Sequence, residues 1–321
     1  MQRLPATSQG ITAVQSALHP AGPDSLAVAQ LSWIMILGGG LIFFLVMLLL
    51  AYALFVPQRY RGWLAHRATI LYGGIAFPIA VLTALLIYGL FTTRTLIAIP
   101  ADGALNIHVT GEQFWWRVRY EADRERPAFD TANEIHIPVG RPVRLALATA
   151  DVIHSFWIPA LGGKLDMMPG QVNTLMLRAD RPGTYRGQCT EFCGGAHALM
   201  SFDVVVHESA EFDAWRERQQ ADAIKPDAQF LQEGERLFHA SGCGACHTVR
   251  GSEASGQIGP DLTHVGSRAT IAAAAFPNNR GTLAGWIADS QHLKPSNGMP
   301  PFNIFSGQQL RVLAAYLEGL K

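Results

Sequence analysis

The four cysteines of the chain lie in two short clusters, and each cluster has the spacing of a redox cofactor site. Residues 243–247 read CGACH, the CxxCH motif in which two thiols bind a haem covalently and the histidine ligates its iron. Cys243 and Cys246 are the predicted attachment residues, and His247 is the predicted ligand. A disulfide or one half of a zinc site is the alternative for two such cysteines. The adjacent histidine and a downstream methionine favour haem.

That methionine is Met299, which lies in a loop rich in proline and glycine, residues 297–301. A thioether is an axial ligand that raises the potential of a c-type haem. Core packing is the ordinary role of a single methionine. Because the loop is stiff enough to present a sulfur atom, we predict that His247 and Met299 together hold the haem iron.

The other cluster, residues 189–200, reads CTEFCGGAHALM and has the spacing CxxxCxxxHxxM. Thiolate, imidazole and thioether together suit copper, whereas a structural zinc site has no use for a methionine. Two thiolates also allow two metal ions to be bridged. A disulfide between the two cysteines and a zinc site of two cysteines and two histidines are the alternatives. The predicted copper ligands are His154, Cys189, Cys193, His197 and Met200.

A helical domain is predicted around the CxxCH motif. Apolar residues at 230, 231, 234, 237 and 238 give the stripe of an amphipathic helix before the motif. Near the end of the chain, Ser306 is suited to cap a last helix. The apolar side of that helix carries Leu310, Leu313, Tyr316, Leu317 and Leu320.

The copper motif is predicted to lie on loops of an all-β sandwich between Leu105 and Glu208. Runs rich in Val, Ile, Leu and aromatic residues alternate there with Pro and Gly. These runs are 106–120, 134–137, 143–148 and 173–177. A sandwich of about one hundred residues would hold ligands rigidly, so that little rearranges when an electron arrives or leaves.

Two N-terminal segments, residues 31–56 and 69–93, are uncharged and longer than the roughly 20 residues that a membrane helix needs. The loop between them contains three arginines and no acid, whereas the residues before the first segment contain only one, Arg3. The positive-inside rule therefore places this loop in the cytoplasm and the rest of the chain outside. No cleavable signal peptide is predicted, because residues 1–30 lack an apolar core. Pro78 predicts a kink in the second segment.

On these motifs, residues 227–321 resemble the class I cytochrome c family. The resemblance implies that the first and last helices of the domain cross where Gly234 meets Tyr316. It also implies that the carbonyl of Pro260 accepts a hydrogen bond from His247 and so fixes the orientation of the imidazole ring.

The hairpin and residues 101–208 resemble subunit II of the haem-copper oxidases, whose membrane-anchored cupredoxin domain holds the dinuclear CuA centre. The resemblance implies that both thiolates bridge the coppers. It completes one copper with His154 and Met200, and the other with His197 and the carbonyl of Glu191. The carboxylate of Glu191 is further implied as a ligand of a magnesium ion at the interface with subunit I.

The chain departs from this family in three places, one of which is Gln171, where an arginine is common. Residues 113–116 read QFWW, where members served by a separate cytochrome c carry Gln-Trp-x-Trp, whose first tryptophan accepts the electron. Phe114 takes that position, and we hypothesise that an attached donor relaxes the need for an indole; a core role is the alternative. The electron-transfer candidates are Phe114, Trp115 and Trp116. Leu71 replaces a glutamate that opens a proton channel in many members, so proton entry through this subunit is not expected.

The resemblances imply a multidomain membrane protein with a two-helix transmembrane hairpin, an all-β cupredoxin sandwich and an all-α class I cytochrome c domain. The predicted bounds are 1–30 for an N-terminal extracytoplasmic segment, 31–100 for the hairpin, 101–208 for the cupredoxin CuA domain, 209–226 for a linker and 227–321 for the cytochrome c domain. The charged, glutamine-rich linker is predicted to be a solvated helical tether, with a reach of roughly 25 Å if fully flexible.

The implied function is that of the subunit through which electrons enter a caa3-type cytochrome c oxidase of the bacterial inner membrane. Electrons pass from covalent haem c to CuA and on to haem a of subunit I, where oxygen is reduced to water; this chain has no catalytic residue of its own. The implied partners are subunit I with haem a, haem a3 and CuB, subunit III, and an upstream donor, either a cytochrome c or a bc1 complex.

Two other functions stay open. A CuA-containing subunit of a nitric oxide reductase would use the same ligands with another terminal reaction. A membrane copper carrier or redox sensor would hold a single exchangeable copper instead of a tight pair. A formal net charge of zero, from 25 basic and 25 acidic residues, gives no sign of nucleic-acid binding.

Overall fold

The computed structural model describes residues 13–96, 102–123 and 126–321, which form two compact units, residues 24–100 and the rest of the chain. Arg3, with the rest of residues 1–12, and residues 97–100 of the predicted hairpin lie outside the described residues. The helices are α1 (Pro23–Phe55), α2 (Gln58–Arg61), α3 (Arg67–Leu71), α4 (Phe77–Leu96), α5 (Ser209–Gln220), α6 (Gln229–Ala240), α7 (Arg280–Ala288), α8 (Ser290–Leu293) and α9 (Gly307–Gly319). The strands are β1 (Leu105–Glu112), β2 (Trp115–Tyr120), β3 (Phe129–Ala132), β4 (Glu134–Pro138), β5 (Val143–Thr149), β6 (His154–Trp157), β7 (Leu165–Met167), β8 (Asn173–Leu177), β9 (Gly183–Cys189), β10 (Ser201–His207), β11 (Thr270–Ile271) and β12 (Phe276–Pro277).

Two helical stretches of the first unit, Pro23–Phe55 and Arg67–Arg94, are long and apolar enough to cross a membrane. Their apolar windows are not buried within the protein. Such a surface is unfavourable in water, and the two apolar helices confirm this part of the predicted fold. α1 begins before the predicted apolar run, with Pro23 at its first position and Asp24 in its first turn, where both residue types favour a helix start.

The second membrane stretch is irregular on the N-terminal side of Pro78. A π-helical turn, Tyr72–Ala76, lies between α3 and α4, and Pro78 is the second residue of α4. Because proline has no N–H to donate to the preceding turn, the hydrogen-bond ladder must adjust there. The π-helical turn lies next to the proline at which the sequence predicts a kink.

The second unit contains a sandwich of two five-stranded sheets, in the orders β3-β2-β1-β5-β8 and β4-β10-β9-β6-β7. β1 runs parallel to β5 and β4 parallel to β10, and the other neighbours are antiparallel. Alternate residues face the core, as Leu105, Ile107 and Val109 do on β1. The all-β sandwich is confirmed. The run predicted at 106–120 is two strands, because residues 113 and 114 connect β1 to β2.

The segment before α1 packs on this sandwich. The amide of Val14 donates to the carbonyl of Thr184 at 3.0 Å, and the amide of Arg186 donates to the carbonyl of Val14 at 3.0 Å. Ala21 is buried in the sandwich core. Residues 13–22 and the sandwich must therefore lie on the same side of a membrane, which agrees with an even number of spans between them.

The segment predicted to be a solvated tether is instead a packed helix over much of its length. α5 buries Phe212 and Trp215 in the core of the sandwich. Arg216 is only 1% exposed and pairs with Asp123 at 2.5 Å. The prediction of a solvated linker was wrong for α5, because these side chains share one face of the helix and that face is covered.

The C-terminal helices cross as the resemblance implied. A Cβ on Gly234 of α6 would lie 2.2 Å from the carbonyl oxygen of Val312 and 2.7 Å from the Cβ of Tyr316, both on α9. The two backbones therefore approach too closely for any side chain at this position. Ser306 caps α9 by accepting from the amide of Gln309, which confirms the predicted helix start.

Gly234→Ala is expected to destabilise the C-terminal domain by about 2 to 3 kcal/mol, because overpacking forces the two helices apart. The measurement is thermal unfolding followed by haem absorbance. Gly319→Ala is the matched control. The nearest neighbour of the added Cβ would be Leu231 Cδ1 at 3.9 Å, so this variant should leave the domain's stability unchanged or slightly increase it. Equal melting of both variants would contradict the tight crossing.

Candidate metal and haem centres

Three adjacent strands bring the predicted copper ligands together at one end of the sandwich. His154 begins β6, Cys189 ends β9, and Met200 immediately precedes β10. β9 pairs with both β6 and β10, with Cys189 opposite Phe156. Cys193 and His197 lie on the connection between β9 and β10, so all five predicted ligands lie at the same end of these strands.

The ligand atoms of His154, Cys189 and Cys193 all lie within 4.8 Å of one another, and those of His197 and Met200 lie close to Cys193. The two sulfur atoms of Cys189 and Cys193 are 3.9 Å apart, and neither cysteine is in a disulfide. The Cys189 sulfur lies 3.8 Å from His154 Nδ1. The Cys193 sulfur lies 3.5 Å from His197 Nδ1 and 3.8 Å from the Met200 sulfur.

These separations fit metal binding. Atoms that share a metal at about 2.0 to 2.3 Å lie within about 4.6 Å of one another, and each measured separation meets that limit. The carbonyl of Glu191 also lies 3.2 Å from the Cys189 sulfur, so it belongs to the same cluster. Because the set includes a thioether and two thiols, its chemistry fits copper better than zinc.

The two thiols differ in acidity. Burial raises the pKa of Cys189, but hydrogen bonds with His154 and with backbone groups of Ser155 and Glu191 outweigh it, so the net pKa is below its usual value. Burial and the neighbouring Cys189 raise the pKa of Cys193 to about 12. Metal binding must therefore displace a proton from Cys193.

Residues outside the predicted set orient the ligands. Asp151 Oδ1 accepts from His154 Nε2 at 2.8 Å, which leaves Nδ1 of the ring free to face the thiols. Gly111 permits this arrangement, because a Cβ there would lie 2.7 Å from the imidazole. The side-chain amide of Gln113 donates to the carbonyl of Cys193 and ties residues 190–200, here called the copper-ligand loop, to the turn after β1.

The CxxCH motif lines a cavity of about 400 Å³ that is formed mainly by the C-terminal domain and partly by the sandwich, a size typical of cofactor pockets. Cys243, Cys246, His247 and Met299 all contribute to its wall. The cavity therefore gathers both attachment cysteines and both predicted axial ligands. This donor set fits a covalently attached haem.

His247 is oriented as an iron ligand, with one ring nitrogen left for the metal. The carbonyl of Pro260 accepts from its Nδ1 at 2.8 Å, so Nε2 is left for a metal. A Cβ on Gly259 would lie 2.5 Å from the ring, so only glycine allows this close packing. Burial lowers the pKa of His247, which favours the neutral imidazole that ligates iron.

The Met299 loop is fixed by hydrogen bonds to its backbone. The amide of Met299 donates to Asn297 Oδ1 at 2.8 Å, and its carbonyl accepts from Ser290 Oγ at 2.8 Å and Gln291 Nε2 at 2.9 Å. α8 thus holds the loop at the cavity wall. The loop is stiffened by these bonds as well as by its prolines.

The three electron-transfer candidates lie in different places. Phe114 and Trp115 line the haem cavity, although both belong to the sandwich. The Phe114 ring also packs on Gly194, next to Cys193, since a Cβ on Gly194 would lie 3.1 Å from it. Trp116 is in the sandwich core, with its ring centroid 6.1 Å from that of His154.

Sequence reasoning missed Asp151, Gln113 and Lys294. Asp151 stands three residues before His154, a spacing that could have marked it as a partner of the imidazole. Lys294 is 2% exposed and donates from the C-terminal domain to carbonyls of the sandwich. No local pattern marks a lysine whose partners lie in another domain.

Comparison with known families covers both sites. A family model described as cytochrome C oxidase subunit II, periplasmic domain, matches residues 121–208, and one described as cytochrome c matches residues 231–321. The first includes all the predicted copper ligands, and the second includes the CxxCH motif and Met299.

Individual proteins are also similar to this chain. The chain is 41% identical over 220 residues to cytochrome c oxidase subunit 2 of Alkalihalophilus pseudofirmus, a match that covers 68% of this chain but only 62% of that protein. It is 31% identical over 287 residues to cytochrome c oxidase subunit 2 of Bacillus sp. strain PS3, covering 83% of this chain and 77% of the relative. Among solved structures, the periplasmic domain of subunit II of cytochrome oxidase from Bradyrhizobium japonicum aligns with 36% identity, 38% of this chain, 95% of that domain and a TM-score of 0.35.

Proposed function

The chain belongs to the cytochrome c oxidase subunit II family, and from that premise we propose that it is the subunit through which electrons enter a caa3-type oxidase. When bound, covalent haem c and a dinuclear CuA centre would supply one-electron chemistry between an upstream donor and haem a of subunit I, where oxygen is reduced to water. The chain's own residues would bind and orient these groups.

Each residue has a proposed role. Cys243 and Cys246 would hold the haem covalently, while His247 and Met299 ligate its iron. Cys189 and Cys193 would bridge two coppers. The outer copper ligands would be His154, His197, Met200 and the carbonyl of Glu191.

The observation that carries the proposal is the shared wall of the haem cavity. Gln113, Phe114 and Trp115 of the sandwich line the cavity that contains the CxxCH motif. The same turn contacts the copper-ligand loop through Gln113 and Phe114. A single short segment thus touches both proposed cofactor sites, which supports electron exchange between them.

Burial of the copper ligands favours a resident redox centre over a carrier. His154, Cys189, Cys193 and Met200 are each at most 4% exposed. A carrier must give up its copper to a partner, whereas these side chains are enclosed and Asp151 orients His154 by a hydrogen bond. We therefore place the copper-carrier function behind electron transfer.

The membrane side and the magnesium site are further parts of the proposal. We place the sandwich and the cytochrome domain outside the cytoplasm, where the arginine-rich loop between the spans directs them. Glu191 is a half-buried residue of the copper-ligand loop, and we propose its carboxylate as a magnesium ligand facing subunit I. Subunit III and the identity of the donor belong to the same proposal.

Purification of the native complex tests the function. We expect two coppers and one covalent haem on this chain, and a partner that carries haem a and consumes oxygen when the complex is reduced. Reduction of nitric oxide without oxygen uptake would instead identify the nitric oxide reductase. One exchangeable copper with no haem-containing partner would identify the carrier.

A further inference from the structure

A tight turn of the cytochrome domain faces the copper-ligand loop. Ala272, Ala273 and Ala274 have φ values of 57°, 61° and 58°, in the left-handed region that alanine rarely adopts. We name these three residues the alanine turn. Such a backbone conformation persists only where neighbouring groups stabilise it. The contacts of the alanine turn therefore indicate its structural role.

Each carbonyl of the alanine turn accepts a hydrogen bond at the interface. Ala273 accepts from the amide of Ser201 at 3.2 Å, and Ala274 accepts from the Arg186 guanidinium at 2.9 Å. Both donors belong to the sandwich. Ala272 accepts from Lys294 Nζ at 2.9 Å.

Lys294 joins the alanine turn to the sandwich. Its ammonium group also donates to the carbonyls of Phe114 at 2.6 Å and Leu199 at 2.9 Å. These three acceptors satisfy all three donors of an ammonium group. A buried cation is unfavourable unless it is satisfied in this way, so the contact depends on both domains being in place.

The acceptors of Lys294 lie beside the two cofactor sites. Phe114 lines the haem cavity, and Leu199 immediately precedes the proposed copper ligand Met200. Ser201, which donates to the alanine turn, immediately follows Met200. The cytochrome domain therefore holds the backbone on both sides of Met200 and at the wall of its own haem cavity.

We propose that Lys294 is a positioning residue that, with the alanine turn, fixes the cytochrome domain against the copper-ligand loop in the arrangement used for electron transfer. The inference rests on the proposed transfer between haem and copper. In this arrangement, unlike one held by a flexible tether alone, the cytochrome domain would stay docked on the sandwich throughout turnover.

The test is Lys294→Met in the full oxidase complex, since methionine keeps the length of the chain and removes all three donors. We expect haem-to-copper transfer, timed after flash photolysis, to slow by about tenfold or more, because small misplacements of reacting groups have effects of that size. Hydrogen exchange at the amides of Ser201 and Ala269 should become faster, since both donate across the interface. The midpoint potentials should change too little to explain the slower transfer.

Lys225→Met is the matched control, because Lys225 is exposed in the segment before α6 and should leave rate and exchange unchanged. A transfer rate within twofold of the parent, or a slower rate fully explained by shifted potentials, would overturn the positioning role. If Lys294→Met does not assemble, Lys294→Gln is judged by the same exchange criterion, and unchanged exchange overturns the proposal. Absence of transfer in the parent complex would instead overturn the proposed function.

Discussion

Cys193→Ser is expected to eliminate the copper pair while the covalent haem remains. The Cys193 sulfur is central to the cluster, at 3.5 to 3.9 Å from His197, Met200 and Cys189. A serine hydroxyl is a hard, weakly acidic ligand that does not replace a bridging thiolate on copper. Copper content per chain should fall from two to at most one, and the absorption of a thiolate-bridged pair should disappear.

The haem provides the internal control for this variant. Cys243 and Cys246 are in the other domain, so covalent haem content should stay at the parent level. Cys243→Ser gives the reciprocal result, with reduced haem attachment and retained copper. A Cys193→Ser protein that keeps two coppers and their spectrum would contradict the assigned bridge.

Met299→Leu is expected to remove the sixth ligand of the haem iron. The midpoint potential should fall by on the order of 100 mV or more, because axial ligands set haem potentials over a range of about 0.8 V. The open position should bind added carbon monoxide.

Potentiometric titration with optical detection measures this shift. Met168→Leu is the matched control, because Met168 is 40% exposed and lies outside the haem cavity lining. An unchanged potential in Met299→Leu, with no carbon monoxide binding, would show that another residue ligates the iron.

The parts of the fold that the sequence predicted are those with strong local signals. Apolar length predicted both membrane segments, apolar periodicity predicted α6 and α9, and a capping serine predicted the start of α9. β9 and β10, which flank the copper-ligand loop, were not predicted. Polar residues such as Arg186 and Asp203 interrupt their apolar pattern. Their ion pair at 2.7 Å satisfies these charges only after the strands have paired.

The predictions failed where a tertiary contact outweighed composition. α5 has the charge of a solvated helix, yet Phe212 and Trp215 anchor it in the sandwich core. Likewise, the cysteine, histidine and methionine motifs predicted two separate sites but not their docking. Lys294 and the alanine turn acquire a role only through partners in another domain, which no local pattern reports.

Haem-to-copper transfer within one purified complex tests the central claim most directly. After a light pulse reduces the haem, we predict that its reoxidation coincides with copper reduction, at a rate independent of protein concentration. Haem that stays reduced, or that reoxidises at a rate proportional to protein concentration, would contradict an electron-transfer unit built within a single chain.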